Sequence, residues 1–287
     1  MAQSPTHKFG QIIGELLEKV LIPPLSEVAD RHGLFLDYKH ARAARNNRKK
    51  VQWTDSKGNT HDLDYVLEYG GSETTIGSPK AFIESAWRRY TKHSRNKAQE
   101  IHGAVSVLAE TYQDFNPFLG VVLAGVFTDG SIQQLRSHGY SIVYCSYSMM
   151  IHAFAEVGID ASFDEDSKDS DVEAKVDQFK KLTETQHAKL HAELRSGLKN
   201  DLDAFIVDLE ASLTRKIERI FVATLYGATY EMVTVEQATK FISEYAETTT
   251  NGEFVRYEVG VRYTNGDQIS GQFGGRTEAV LFLRGLV

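Results

Sequence analysis

Residues 61–71 read HDLDYVLEYGG and residues 77–100 read GSPKAFIESAWRRYTKHSRNKAQE. DLDYVLEY and AFIESAW are short apolar runs broken by single acids, the pattern of strands with a buried face. Gly70-Gly71 through Pro79 reads as the loop between them. Asp64 opens the first strand and Glu84 sits inside the second. Side chains two apart on a strand face the same way, so Asp62 shares a face with Asp64, and Glu84 shares one with Ala86 and Arg88. Two carboxylates on adjacent strands suit one hard cation. Magnesium takes one or two carboxylates and keeps open positions for water and a phosphate oxygen. An acid flanking a strand usually faces solvent, but Glu84 lies in apolar surroundings, where an ionised carboxylate is costly without a partner. It leads into Arg88, Arg89, Lys92, Arg95 and Lys97, a run along which a nucleic-acid backbone can pass. Thr91–Tyr112 is expected to be helical, with Ile101, Val105, Leu108 and Ala109 as its apolar stripe.

Upstream, Phe9–His32 repeats apolar residues at helical spacing and stops at Gly33. Pro23-Pro24 is expected to kink or split that helix. LFLDY and KVQW are strand-like, and DSKGN (55–59) is a turn before DLDYVLEY. Downstream, FLGVVLAGVF and YSIVYCSY read as strands buried on both faces. A short helix separates them, and another covers Met149–Val157. Helix, strands, helix, strand, short helix, strand, helix reads as an antiparallel meander followed by a crossover helix and further strands, the order of an α/β or α+β sandwich.

A leading helix, an acid opening one strand, an acid inside the next and then a Lys/Arg- and Gln-rich helix resembles the PD-(D/E)XK nuclease superfamily, most nearly the type II restriction endonucleases. The resemblance covers roughly the first 160 residues and rests on element order as much as on the letters. It implies an α/β restriction-endonuclease-like core with a mixed central sheet flanked by helices, Mg2+ held by Asp64 and Glu84, and hydrolysis of double-stranded DNA, site-specific in the restriction manner. Leu63 stands in place of the family's proline, and Ala86 occupies the position of its lysine. Lys97 is the first candidate for that lysine's role, Lys92 the second and Arg88 the third. Gln99 lies where related nucleases often carry a polar active-site residue, and Glu15 where some carry a further acid. Arg42, Arg45, Arg48, Lys49 and Lys50, in the acid-free stretch 39–50, are expected to track phosphates with Arg88, Arg89 and Arg95. Palindromic sites favour two-fold homodimers. With the lysine displaced, the alternative is an inactive DNA-binding or assembly protein on the same scaffold. A third reading, an interaction protein without nucleic acid, leaves the basic runs as surface decoration.

Beyond residue 160 the composition changes. Residues 160–177 hold eight acids against two lysines. Asp171–Leu213 carries Val176, Leu190, Leu194, Leu198, Leu202, Phe205 and Leu209 at helical spacing, the pattern of a helical hairpin or of helices packed on a partner. IERIFVATLY, a helix over Val235–Tyr245, FVRYEVGVRY and QISGQF joined by Asn265-Gly266, and RTEAVLFLRGL form a small β-α-β-β-α module. The domains expected are therefore a core at 1–165, a helical segment at 166–216 and the module at 217–287.

The 287 residues carry 32 basic and 39 acidic side chains, a net charge of −7, and are 41% hydrophobic, which excludes disorder and leaves ample material for a core. Cys145 stands alone, so no disulfide framework or multi-cysteine zinc site forms. No apolar run approaches the ~20 residues of a membrane span, and MAQSPTHKFGQ lacks the apolar core of a signal peptide. No membrane partner and a cytoplasmic location are expected. The ten histidines form no HExxH or zinc spacing. His93 is expected at a solvated helix start, and Trp53 and Trp87 in the core or at an interface.

Overall fold

The computed structural model describes residues 4–164, 166–224, 229–249 and 252–286. They form two compact units, 1–108 with 118–209, and 109–117 with 210–287.

The first unit begins with α1 (Pro5–His32). The Ser4 hydroxyl accepts from the His7 N–H at 3.3 Å, Pro5 fits the first turn, and Gly33, at φ +62°, closes the helix in the left-handed conformation. The helix runs unbroken through Pro23-Pro24, where a kink or split is expected from sequence. Val20, Leu21, Leu25 and Val28 straddle the prolines and are all buried. At roughly 1.5–3 kcal/mol each, the four together contribute ~6–12 kcal/mol, which offsets the ~6 kcal/mol that two interior prolines cost at ~3 kcal/mol apiece.

Five strands make the central sheet, in the order β1 (Leu34–Tyr38), β4 (Tyr65–Tyr69), β5 (Ser78–Arg88), β6 (Phe118–Gly125) and β7 (Ser141–Ser146). β4 is antiparallel to both of its neighbours, β1 and β5; β5, β6 and β7 run parallel. This is a mixed sheet flanked by helices. A separate hairpin, β2 (Val51–Thr54) with β3 (Thr60–Leu63), precedes β4. Its turn is shaped by Asp55, whose carboxylate accepts the Lys57 and Asn59 N–H groups, both at 2.9 Å. The helix α2 (Thr91–Thr111) crosses over from β5 to β6, and α3 (Asp129–Ser137) from β6 to β7, with α4 (Tyr147–Ala155) following. At the end of β6, Gly125 has φ +95°, and a Cβ there would lie 2.1 Å from the Arg88 carbonyl oxygen. Only glycine lets the two parallel strands end this close together.

The acid-rich stretch and the leucines after it form α5 (Asp169–Lys180), α6 (Glu184–Gly197) and α7 (Lys199–Leu213). A capping box at Thr183 and Gln186 starts α6. Val172, Val176, Leu190, Leu194, Leu198, Leu202, Phe205 and Leu209 are buried within the chain. These three helices therefore do not require a second subunit to cover their apolar faces. Through Leu209 they belong to the first unit, not to a separate segment at 166–216. Phe205 fills the space left by Gly120, where a Cβ would meet its ring at 2.6 Å.

The second unit has a four-stranded sheet ordered β13 (Gln268–Phe273), β12 (Tyr257–Tyr263), β8 (Ile217–Thr224), β9 (Thr229–Met232), with all neighbours antiparallel. The short β9 is absent from the sequence reading, and so is the small ribbon of β10 (Thr248–Thr249) and β11 (Gly252–Glu253). Asn265-Gly266 makes the expected hairpin, with Gly266 at φ +90°. The helices α8 (Val235–Glu244) and α9 (Arg276–Arg284) contribute Ala238, Ile242, Ala279 and Leu283 to a core with Ile220, Val222, Val259 and Val261.

Candidate active site

Asp64 is the single residue between β3 and β4, and Glu84 lies in β5. Tyr65 pairs with Ile83, so one further step of the antiparallel register sets Asp64 opposite Glu84. Asp64 Oδ2 accepts the Ser85 backbone N–H at 2.7 Å, which fixes the carboxylate against β5. A cavity of about 210 Å³ is lined by Asp62, Asp64, Glu84, Lys97 and Glu100, with Ile101 of α2 as apolar wall. A second groove, about 600 Å³, reaches Asp64 and Lys97 from the side of α1, past Gly14, Glu18, Ser85 and Arg88.

Burial raises the pKa of Asp64, with its bond from Ser85 and the charge of Lys97 opposing. Glu84 is pushed up to about 9, by burial first and by the charge of Asp64 second. Its Oε1 is buried and has no hydrogen-bond partner among the described residues. Two desolvated carboxylates facing one small cavity repel each other, and a cation between them relieves both costs. Among the described residues no group of three or more His, Cys, Asp or Glu is arranged around a metal ion. The pair is thus the candidate, and water or substrate oxygens would complete a magnesium shell.

Lys97 reaches the cavity from α2 with 16% of its side chain exposed, and its Nζ donates to Glu100 Oε1 at 2.7 Å. That bond holds the Glu100 carboxyl below its ordinary value. Arg88 lies in the neighbouring groove, 3.9 Å from Glu100 Oε2. The Lys92 and His93 side chains lie outside the described residues. Gln99 and Arg95 are exposed. Ala86 is buried on β5, and the lysine lining the cavity comes from α2 instead of from that strand. Glu15 is exposed, and α1 turns Glu18 into the groove instead. The Glu18 carboxyl is raised by burial, with Asp64 and Glu15 adding to the effect and Lys39 opposing it. Asp62 is exposed at the cavity rim and accepts from Lys50 and Gln52.

The basic stretch 39–50 divides into two kinds of residue. Arg42 is fully buried, with Nη1 2.6 Å from Glu68 and 2.7 Å from Asp37, and Nη2 donating to the Ser72 and Thr75 carbonyls. Arg45 is buried beside it and contacts Asp37 at 2.9 Å. Neither is presented to a phosphate, contrary to the sequence reading; Asp37 lies just before the run on β1, and Glu68 lies 26 residues from Arg42 on β4, where spacing does not match it to the run. Arg48, Lys49 and Lys50 are exposed. Arg89 is half-buried and lines the second groove; its guanidinium lies 3.9 Å from the Tyr147 ring centroid and donates to the Phe163 carbonyl.

Sequence reasoning missed Glu18, Glu100, Tyr65 and Tyr140. Glu100 was legible as the i+3 partner of Lys97 on one helix face. The Tyr65 and Tyr140 hydroxyls are buried without partners among the described residues. Burial raises both phenols, with Asp64 adding to Tyr65 and Glu84 to Tyr140; nothing in the sequence pointed to either. Trp53 packs in the core against Phe82. Cys145 is buried and pushed up to about 12, an inert thiol.

Comparison with protein-family models, curated proteins and solved structures finds no match.

Proposed function

We propose that this chain is a magnesium-dependent endonuclease that hydrolyses double-stranded DNA at specific sites. The observation that carries the reading is the gathering of Asp64, Glu84 and Lys97 around one small cavity, from a strand junction, a strand and a helix. Element order supports it. α1, β1, β4, β5, α2 and β6 follow one another with the first acid at the start of one strand and the second inside the next, as the PD-(D/E)XK resemblance requires.

Asp64 and Glu84 would hold the ion; the lone buried Glu84 oxygen and the paired carboxylates fit a hard divalent cation. Bound there, magnesium supplies Lewis acidity toward the scissile phosphate and lowers the pKa of water. The Ser85 N–H orients Asp64. Lys97 supplies positive charge where the attacked phosphate gains negative charge, and Glu100 holds its ammonium in place. Lys50, paired with Asp62 at the rim, and the exposed Arg48 and Lys49 next to it are cations for the flanking backbone.

Incubating the protein with a long unmodified duplex and Mg2+ tests the reading. Discrete fragments are expected, and their ends give the cut. Intact duplex across a range of sequences and divalent ions removes it. A two-fold dimer belongs to the proposal, because palindromic sites call for one; a strictly monomeric mass by light scattering at tens of micromolar removes that part.

A further inference from the structure

In the second unit, the described helices α8 and α9 both pack on the core face of the sheet. Ile220, Val222, Val259 and Val261 point into the core beneath α8 and α9. Alternation along the strands sends Phe221, Gly260 and Ser270 to the opposite face, where the register sets them in one row across β8, β12 and β13. The next row is Arg219, Arg262 and Gln268.

A cavity of about 350 Å³ opens on this face. Gly260 is its floor, the half-buried Phe221 ring one wall, and Arg262, Gln268 and Ser270 the other. A Cβ on Gly260 would meet nothing closer than Phe221 at 3.9 Å, so the backbone here is not crowded by neighbours and the missing side chain leaves a slot. Among the described residues lining the slot, Arg262 is the only one with a formal charge; Glu231 is the cross-strand neighbour of Phe221 on β9. Arg219 and Arg262 are direct cross-strand neighbours, a like-charge pairing that costs stability unless an anion lies over it. Glu231 engages Arg219. Arg262 is exposed and has no ion-pair partner among the described residues, the acid of the adjacent row, Glu258, being paired with Arg256.

An aromatic wall, an amide and a hydroxyl whose side chains have no hydrogen-bond partner among the described residues, and two neighbouring guanidinium groups sharing one carboxylate are the elements of a stacking platform. We propose that the open face of this sheet binds single-stranded nucleic acid, with one unpaired base stacked on Phe221 over Gly260, its edge toward Gln268 and Ser270, and the adjoining phosphate on Arg262 and Arg219. A duplex keeps its bases stacked on each other and cannot fill the slot, so the preference is for single strands. The inference goes beyond the nuclease reading and stands on the second unit alone.

Fluorescence anisotropy of the full chain with labelled oligothymidylate, in chelator so that no cleavage intervenes, tests it. Phe221→Ala is expected to weaken binding about fivefold to 150-fold, as loss of one base–aromatic stack does. Gly260→Val, which fills the slot, should weaken it comparably while the thermal midpoint stays near wild type. Arg262→Ala should weaken binding and make its salt dependence shallower by about 0.7 in log–log slope. Glu84→Gln should leave it unchanged, which separates this site from the proposed metal site. No binding by the wild type, tighter binding to duplex of the same length, or equal affinities for wild type, Phe221→Ala and Gly260→Val would each overturn the proposal, whatever the cleavage assay shows.

Discussion

Glu84 concentrates the chemistry of the first unit in one carboxyl group. Its pKa near 9 means that the folded chain holds this proton more tightly than the unfolded chain does. The associated stability is complete below the ordinary carboxylate value of 4.5 and is lost as pH rises through about 9. In chelator, the wild-type melting temperature should therefore fall across that window relative to Glu84→Gln, which has no proton to lose. Added Mg2+ should flatten the difference, since the ion takes the proton's place. Parallel pH curves for the two proteins would show that Glu84 is not held this way. On activity, Asp64→Ala and Glu84→Ala should abolish cleavage while leaving the fold and much of the DNA affinity, because phosphate contacts elsewhere supply most of the binding. Lys97→Ala should lose ~10²–10⁴-fold in rate, and Lys92→Ala much less, since Lys97 lines the cavity. Single-turnover rates decide it, and the reverse ranking would move the role to Lys92. The two acids and Lys97 were legible because strand alternation and one helical turn fix their directions. Glu18 in place of Glu15 was not, because a one-turn choice on α1 depends on which face the sheet covers.

At the scale of elements, the strands of the first sheet and its crossover helix were readable from apolar runs and turn residues. Pro23-Pro24 breaks a helix by local propensity alone, but the buried residues on both sides hold the two halves of α1 as one. The 39–50 run is a second case. Its formal charge was visible, but the Asp37 and Glu68 that neutralise Arg42 and Arg45 lie on other elements, and only the sheet brings them together. Arg42 consequently belongs to the fold. Arg42→Ala leaves two buried carboxylates without their shared cation and should cost about 3–5 kcal/mol, read as a shift of the urea midpoint. Lys49→Ala, on the exposed part of the same run, should leave the midpoint within about 0.5 kcal/mol and weaken DNA binding without sequence preference. An unchanged midpoint for Arg42→Ala would mean that the network contributes nothing to stability.

The described residues fall into two compact units, and the candidate metal cavity is lined entirely by residues of the first. Leu194 is buried in that unit, whereas Val259 and Ile242 are buried in the second. Chains built this way depart from all-or-none unfolding, so calorimetry should resolve two transitions. Leu194→Ala, at about 2–5 kcal/mol, should lower one transition, and Ile242→Ala the other. A ligand that binds one folded unit raises only that unit's stability, by an amount set by its concentration relative to Kd. Saturating Mg2+ should therefore raise the transition that Leu194→Ala lowers and leave the second in place, and Glu84→Gln should cancel the increment. Single-stranded oligonucleotide in chelator should do the converse, raising the transition that Ile242→Ala lowers. If Mg2+ shifted both transitions equally in the wild type and in Glu84→Gln, it would be acting as a general ionic effect and the Asp64–Glu84 pair would not be its site.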